Sequence, residues 1–240
     1  LETDPYAPGT YHGGNFYTGG TYWVGAATGP VTRTPFAFDE LIPSWNAVTP
    51  AGTWLEMLVR VELDGRWTRW YNMGVWASGS ETIRRHSVTP QADADATVEV
   101  DTLVLTPGRT SASAYQLRVR LFSVDPESTP RLRALATAIS TTPPGNAPPS
   151  IGDPTRWNTL LDVPACSQMV YPDGGDVWCS PTSTAMIMAY WDGNTGPCEP
   201  VVRAAVASVY DWVYDGHGNW PFNTAYAGAN GLRGSVRRFA

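Results

Sequence analysis

The sequence predicts two domains: an N-terminal antiparallel β-sandwich of jelly-roll type, residues 1–142, and a helical region, residues 151–240. Apolar residues alternate at period two before the boundary and recur at a period near 3.6 after it. The segment 143–150 between them is rich in proline and fits neither a sheet nor a helix interior, so we interpret it as a linker. The 240 residues are 42% hydrophobic and 16% charged, which predicts ordered cores.

The predicted strands depend on alternation and on turn residues. The clearest one, 54–63, is followed by Asp64 and Gly65, a pair typical of hairpin turns, and 66–76 is its expected partner. Further strands are predicted at 82–88, 97–105, 115–124 and 132–139. The first thirty residues, rich in Gly, Tyr and Thr, permit no assignment.

Three helices are predicted after the linker. Residues 180–191 are apolar almost all round, which indicates a buried central helix with Ser180 as its cap and Pro181 at its first position. The other helices are predicted at 200–214 and 223–229, and a strand is expected to begin at 235–239. The first two helices carry more apolar surface than this stretch can cover, so we expect them to pack on the sandwich or on a partner chain.

Composition limits the classes of partner. The net charge of −6 argues against nucleic acid or an acidic membrane as a partner, and no apolar run is long enough to span a membrane. The chain opens with Leu1 and has no signal-type apolar segment, as a processed secreted protein or a cut fragment would. All three cysteines lie in the last third, which in an exported protein indicates one disulfide and one free thiol.

Cys179 is the strongest candidate for chemistry. It immediately precedes a predicted helix, whose N–H groups and dipole stabilise a thiolate, and a thiolate is a good nucleophile. Eleven residues earlier, Gln168 offers a side-chain amide that can donate a hydrogen bond to an oxyanion. Taken alone, a cysteine before a helix is more often a buried structural residue.

Two motifs add to this interpretation. The strings LDVPACSQ at 161–168 and WCSPTSTAM at 178–186 resemble the opening of the peptidase C39-like family of papain-fold cysteine proteases. The string GNWPFNTA at 218–225 is also similar to that family, and the resemblance covers roughly 158–239. The Trp-rich N-terminal region resembles, more loosely, the domain that precedes C39-like domains in some secreted bacterial proteins.

The resemblance implies the helical, N-terminal half of a papain-like α+β domain and no cofactor. It implies Cys179 as the nucleophile and Gln168 as the oxyanion-hole donor, with Ser180 standing where many members have Gly. We also expect contacts with the substrate from Trp178, Asn219 and Trp220.

The general base is missing from the expected place. In papain-type folds the catalytic His lies far downstream on a strand, and the resemblance implies that this His and its Asp lie beyond Ala240. Within the chain, only His217 could replace that catalytic His; it lies in a Gly-rich loop with Asp211 and Asp215 nearby. The alternative interpretation is that His217 is a solvated loop residue without a catalytic role. We expect His86 to be a surface residue, and His12 is uninformative.

Cys166 and Cys198 flank Cys179 in sequence. No CxxC or HxxxH spacing is present, so no zinc site is predicted. We favour a Cys166–Cys198 disulfide that closes a loop around the nucleophile helix, the alternative being two reduced, buried thiols.

The tryptophans of the sandwich offer a second kind of site. Alternation places Trp67 on one face and Trp70 and Trp76 on the other, so one set is core and the other could stack on a glycan. The remaining candidates are Trp45 and Trp54, and core is the plainer interpretation for most of the five. An acidic cluster is interpreted as a solvated loop and strand edge rather than a calcium site; its members are Asp93, Asp95, Glu99 and Asp101.

These observations favour a secreted bacterial cysteine peptidase that acts on peptides or proteins. Its sandwich would be an accessory domain for a partner, a glycan or the cell envelope. The alternative is a carbohydrate- or surface-binding protein with a vestigial or incomplete papain-like domain. An amidase or a transglutaminase-like acyl transferase that uses the same cysteine is a third interpretation.

Overall fold

A computed structural model describes residues 16–17, 20–108, 111–141 and 152–238. The strands of the described part are β1 (Trp23–Thr28), β2 (Thr32–Phe38), β3 (Glu40–Val48), β4 (Thr53–Leu63), β5 (Arg66–Trp67), β6 (Tyr71–Trp76), β7 (Ala96–Glu99), β8 (Thr102–Leu105), β9 (Ala112–Ser123) and β10 (Arg131–Ser140). The helices are α1 (Cys179–Trp191), α2 (Cys198–Val209) and α3 (Trp220–Ala229). One-turn 3₁₀ helices lie at Pro154–Arg156, Gln168–Val170 and Gly175–Val177.

The strands form two antiparallel sheets. The larger has the order β1-β9-β4-β5, with β2 also paired to β9 and β6 to β4, and the smaller has the order β10-β3-β8-β7. The two sheets share an apolar core to which both contribute buried side chains, among them Phe38, Leu41, Val59, Tyr71 and Leu103. The predicted antiparallel sheet region and the helical region after it are therefore confirmed at this level.

Several predicted strands differ from those observed. The predicted strand 97–105 is the hairpin β7–β8, because Val100 adopts a left-handed conformation with φ 59°. The predicted strand 66–76 breaks after β5, where Thr68 bonds to Val61 through both its backbone N–H and its hydroxyl. Residues 82–88 form only isolated bridges, and β1, β2 and β3 were not predicted. The hairpin turn at Asp64 and Gly65 is confirmed, with φ 51° and 77°.

The helices lie near the predicted positions but differ at their ends. Cys179 is the first residue of α1, and Trp178 is the cap, so Ser180 is not. α2 ends at Val209, short of residue 214, because Asp211 Oδ1 accepts from the N–H groups of Val213 and Tyr214 and forms a turn. Residues 235–238 contain no strand.

The helical region packs on the sheets, as the apolar surface of its helices predicts. Val209, Phe222 and Ala225 belong to the same buried cluster as Trp45 and Trp76. The contact between α3 and β3 is so close that a Cβ on Gly228 would lie 2.5 Å from Asn46 Cβ. The predicted linker, 143–150, lies outside the described residues.

Buried polar groups tie the two regions together. Arg85 is buried and donates to the carbonyl oxygens of Ala77 and Ser78, and to Ala207 O (3.1 Å) in the last turn of α2. Cations are favoured there because the last carbonyls of a helix lack helical partners. Asn46 Nδ2 donates to Thr224 O and Gly234 O, at 3.1 and 3.0 Å.

Most of the five tryptophans of the sheet region are core residues, which was the plainer interpretation of the sequence. Trp45, Trp54 and Trp76 are fully buried. Trp67 and Trp70 are half-buried, and the Arg60 guanidinium lies 4.7 Å from each ring. The prediction that Trp70 and Trp76 share a face is wrong, because the strand breaks before β6.

Candidate active site

Cys179 is an exposed free thiol at the amino end of α1. The buried residues of α1 include Ala185 and Ala189, and the helix packs against α2 and α3. Ser180 Oγ lies 4.0 Å from the sulfur. The thiol is therefore accessible to a ligand and lies at the positive end of the helix dipole.

The other two cysteines form the disulfide favoured by the sequence. Cys166 and Cys198 are joined, with their Cα atoms 5.6 Å apart. The bond connects the segment that precedes the nucleophile to the first residue of α2. It leaves Cys179 free, which a nucleophilic role requires.

Gln168 begins a 3₁₀ turn, Gln168–Val170, which we call the Gln168 turn; the turn Gly175–Val177 is called the Gly175 turn. The Gln168 Nε2 group donates to Gly175 O at 2.7 Å, four residues before Cys179. An amide nitrogen carries two hydrogens, so this bond holds the side chain in place and leaves one N–H to donate.

The close contact of these two turns requires glycine at residue 175. Gly175 N–H donates to Tyr171 O (2.9 Å), and a Cβ on Gly175 would lie 2.0 Å from Gln168 O. Glycine is thus what allows the Gln168 turn to lie beside the Gly175 turn.

Trp178, the residue before Cys179, is buried and packs among aromatic and charged side chains. Its ring lies 5.7 Å from that of Tyr171 and 6.0 Å from that of His217, and the Arg203 guanidinium lies 5.7 Å away. Arg203 also binds Asp173 and Glu199, at 2.7 Å each. Because the Trp178 side chain is buried in these contacts, it offers little surface for the substrate contact that the sequence analysis expected.

His217 lies next to Trp178. Its Nδ1 is buried and has no hydrogen-bond partner among the described residues. Burial lowers the pKa of His217 below its ordinary value, against the opposing field of Asp215, so the ring is neutral at pH 7. A neutral imidazole is the form that can accept a proton.

The other described histidine, His86, is a core residue. His86 is fully buried and stacks on Phe16, with ring centroids 4.5 Å apart, so the prediction of a surface residue is wrong. Its Nδ1 lies 2.7 Å from Arg84 O. His12 lies outside the described residues.

Asn219 and Trp220, the other two expected substrate contacts, differ in exposure. Asn219 is fully buried, caps α3 by accepting from Phe222 N–H, and donates to Asp211 Oδ2 at 3.0 Å. It therefore has no surface to offer a substrate. Trp220 is 52% exposed and lines a cavity of about 550 Å³, but Gln168, Cys179 and His217 do not line that cavity.

Three members of the acidic cluster have partners that lie far away in the sequence. Asp95 binds Arg66, and Asp93 binds Arg69. Asp101 is buried and accepts from Trp220 N–H (2.9 Å) at the start of α3. Among the described residues, no three His, Cys, Asp or Glu side chains lie close enough to hold a metal ion.

Asp211 is the residue near the candidate site whose role sequence reasoning missed. Its carboxylate is fully buried and accepts from Ser87 N–H (2.9 Å), so it joins the loop that carries His217 to the sheet region. The only signal in the sequence was an Asp just before a Gly-containing turn, which is common on loop surfaces.

Two family models match this chain. A family model described as Peptidase C39 N-terminal domain matches residues 2–140, more than half of the chain. A second, described as Peptidase_C39 like family, matches residues 160–235. No curated protein and no solved structure gives a significant match. None of the helices in the described ranges is both long and apolar enough to cross a membrane.

Proposed function

The chain belongs to the Peptidase C39 N-terminal domain family, and on that premise we propose that it is a cysteine peptidase whose nucleophile is Cys179. One observation carries the proposal: an exposed, unpaired thiol at the first residue of α1, eleven residues after a glutamine whose amide is held in place. The disulfide supports export, because such bonds persist in oxidising compartments. The proposed substrates are peptides or proteins.

The chemistry is acyl transfer. The thiolate of Cys179 attacks the carbonyl carbon, an S–C bond forms, and the π electrons move to the carbonyl oxygen. The free N–H of Gln168 and the first N–H groups of α1 stabilise that oxyanion. The C–N bond then breaks, the amine leaves with a proton, and water hydrolyses the thioester to restore the thiol.

The proton transfers need a base, and His217 is our in-chain candidate. Its neutral ring packs on Trp178, the residue before the nucleophile. The other candidate is the downstream histidine that the family resemblance implies. Replacing His217 separates the two candidates, because only the first makes the peptidase activity depend on this side chain.

Thiol labelling tests the nucleophile. We expect iodoacetamide to modify Cys179 at pH 7 at least tenfold faster in the native chain than in the urea-unfolded chain, measured by intact mass. Cys179→Ser should abolish labelling of the non-reduced protein. Equal rates in the native and unfolded chains would contradict the proposal.

Peptide hydrolysis tests the two assisting residues. Gln168→Ala should keep the labelling and lower kcat by about 10²–10³-fold, the usual cost of losing one oxyanion donor. His217→Gln should have an effect of similar size if this residue is the base, and little effect if the base lies elsewhere. Full activity in Gln168→Ala would remove Gln168 from the mechanism.

A further inference from the structure

The surface beside Cys179 is apolar and exposed. Met169 and Val170 of the Gln168 turn are 72% and 67% exposed, and Val177 of the Gly175 turn is 59% exposed. Hydrogen bonds between the turns hold them together: Gly175 N–H donates to Tyr171 O, and Gln168 Nε2 donates to Gly175 O. We call Met169, Val170 and Val177 the apolar rim; it begins beside Gln168 and ends two residues before the nucleophile.

Local packing does not account for the apolar rim. The aromatic residues of the same segment, Tyr171 and Trp178, are each 6% exposed and form the core beneath it with Ala185 and Val202. None of the rim's residues belongs to a described core cluster. An exposed group of apolar side chains next to a reactive group is typical of a surface that binds a ligand.

The segment that carries the apolar rim also carries the acidic residues Asp173 and Asp176. Asp173 and Glu199 share one cation, Arg203. Asp176, within the Gly175 turn, is exposed and has no ion-pair partner among the described residues. The charge beside the rim is therefore negative, which favours a basic group on the ligand.

From this placement we infer that the apolar rim selects the substrate: a peptide with a bulky apolar side chain next to the scissile bond and an Arg or Lys close by. The apolar side chain packs on Met169, Val170 and Val177, and the basic residue faces Asp176. The inference rests on the proposed function and names its substrate class.

Peptide vinyl sulfones that react with Cys179 test the inference. The series carries Leu, Phe, Gly or Asp next to the electrophile, followed by Arg or Gln at the neighbouring residue, with iodoacetamide as the reference reagent. We expect Leu or Phe to react about tenfold faster than Gly, and Arg to improve on Gln about threefold, both measured by intact mass.

Variants assign these preferences to residues. Val177→Ser and Met169→Ser should each remove most of the Leu-over-Gly preference and keep the iodoacetamide rate within twofold. Asp176→Asn should remove only the preference for Arg. The matched control is Val31→Ser, an exposed valine (45%) of the sheet region, which should change neither preference.

The outcomes separate the two proposals. Rapid iodoacetamide labelling without a preference among the peptides, or with a preference that the rim variants leave unchanged, overturns the substrate class alone. If iodoacetamide reacts no faster with the native chain than with the unfolded chain, and no peptide reagent reacts with Cys179, both proposals fail.

Discussion

At the scale of single residues, the site depends on a glycine that carries no chemistry. A Cβ on Gly175 would lie 2.0 Å from Gln168 O, which is closer than real Cβ atoms come, and 3.2 Å from Tyr171 Cβ, which is tighter than most real contacts. The backbone must therefore move if this residue changes. The movement would displace the carbonyl that positions the Gln168 amide.

We predict that Gly175→Ala lowers the free energy of unfolding by about 1–3 kcal/mol, the usual cost of overpacking. It should also slow peptide hydrolysis as strongly as Gln168→Ala does. Thermal unfolding and kcat measure the two effects. Gly25→Ala is the control, because nothing lies within 4 Å of a Cβ there. Equal stability of the two variants would contradict the prediction.

Cys179 and Gln168, the residues that the sequence analysis singled out for chemistry, lie in short sequence motifs. The cysteine comes before a helical pattern and the glutamine lies a short distance upstream, and the resemblance of these motifs to the C39-like family implies the roles of both residues. The roles of Gly175 and Asp211 depend on partners that folding brings close. The partner of Asp211, Ser87, is far away in the chain. No local pattern reports such a contact.

At the scale of elements, α2 holds the segment that leads to Cys179 at two points. The Cys166–Cys198 disulfide ties one end, and the Arg203 pair with Asp173 ties the middle. The disulfide closes a loop with a sequence separation of 32 residues, whereas the ion pair is exposed to solvent. The two ties should therefore differ greatly in strength.

We predict that Cys166→Ser/Cys198→Ser lowers the free energy of unfolding by about 3–4 kcal/mol, from the loop entropy that the bond removes from the unfolded chain. Asp173→Asn should have a much smaller effect, because solvent and salt screen an exposed ion pair. Urea unfolding of both variants measures the difference. A larger loss in Asp173→Asn would contradict this ranking.

The sequence predicted elements well where one face meets solvent. β4, β9 and β10 alternate because most polar residues on one face of each strand are only partly buried, whereas the apolar residues of β4 and β9 are mostly buried. β3 was missed because both of its faces are covered: Ser44 and Asn46 are buried polar residues that bind the C-terminal segment. The apolar residues of such a strand do not alternate with polar ones, so the sequence does not show a strand here. The buried polar residues of β3 are explained only by their contacts with the part of the chain that includes α3.

At the scale of the whole molecule, the two family matches, 2–140 and 160–235, divide the chain into two parts, and the proline-rich segment 143–150 falls between them. The core does not follow that division. Phe222 of α3 packs on Trp45 and Trp76 of the two sheets, with ring centroids 6.2 and 5.3 Å apart. Sequence composition identifies where the chain changes character, but it cannot show that the two parts bury their apolar surface against each other.

We therefore predict that residues 152–240, expressed alone, expose apolar surface and bind a hydrophobic dye. Co-expressed with residues 1–141, they should co-purify as a complex with cooperative unfolding. Phe222→Ala should weaken the complex, because removing a fully buried Phe costs about 3–5 kcal/mol. Trp220→Ala, in the same helix at 52% exposure, is the matched control. If the helical part alone stayed monodisperse, bound no dye and unfolded cooperatively, this prediction would be wrong and the sheet region would be an attached module. The hydrogen bond between Ser87 and Asp211 would then not be needed to hold the loop of His217.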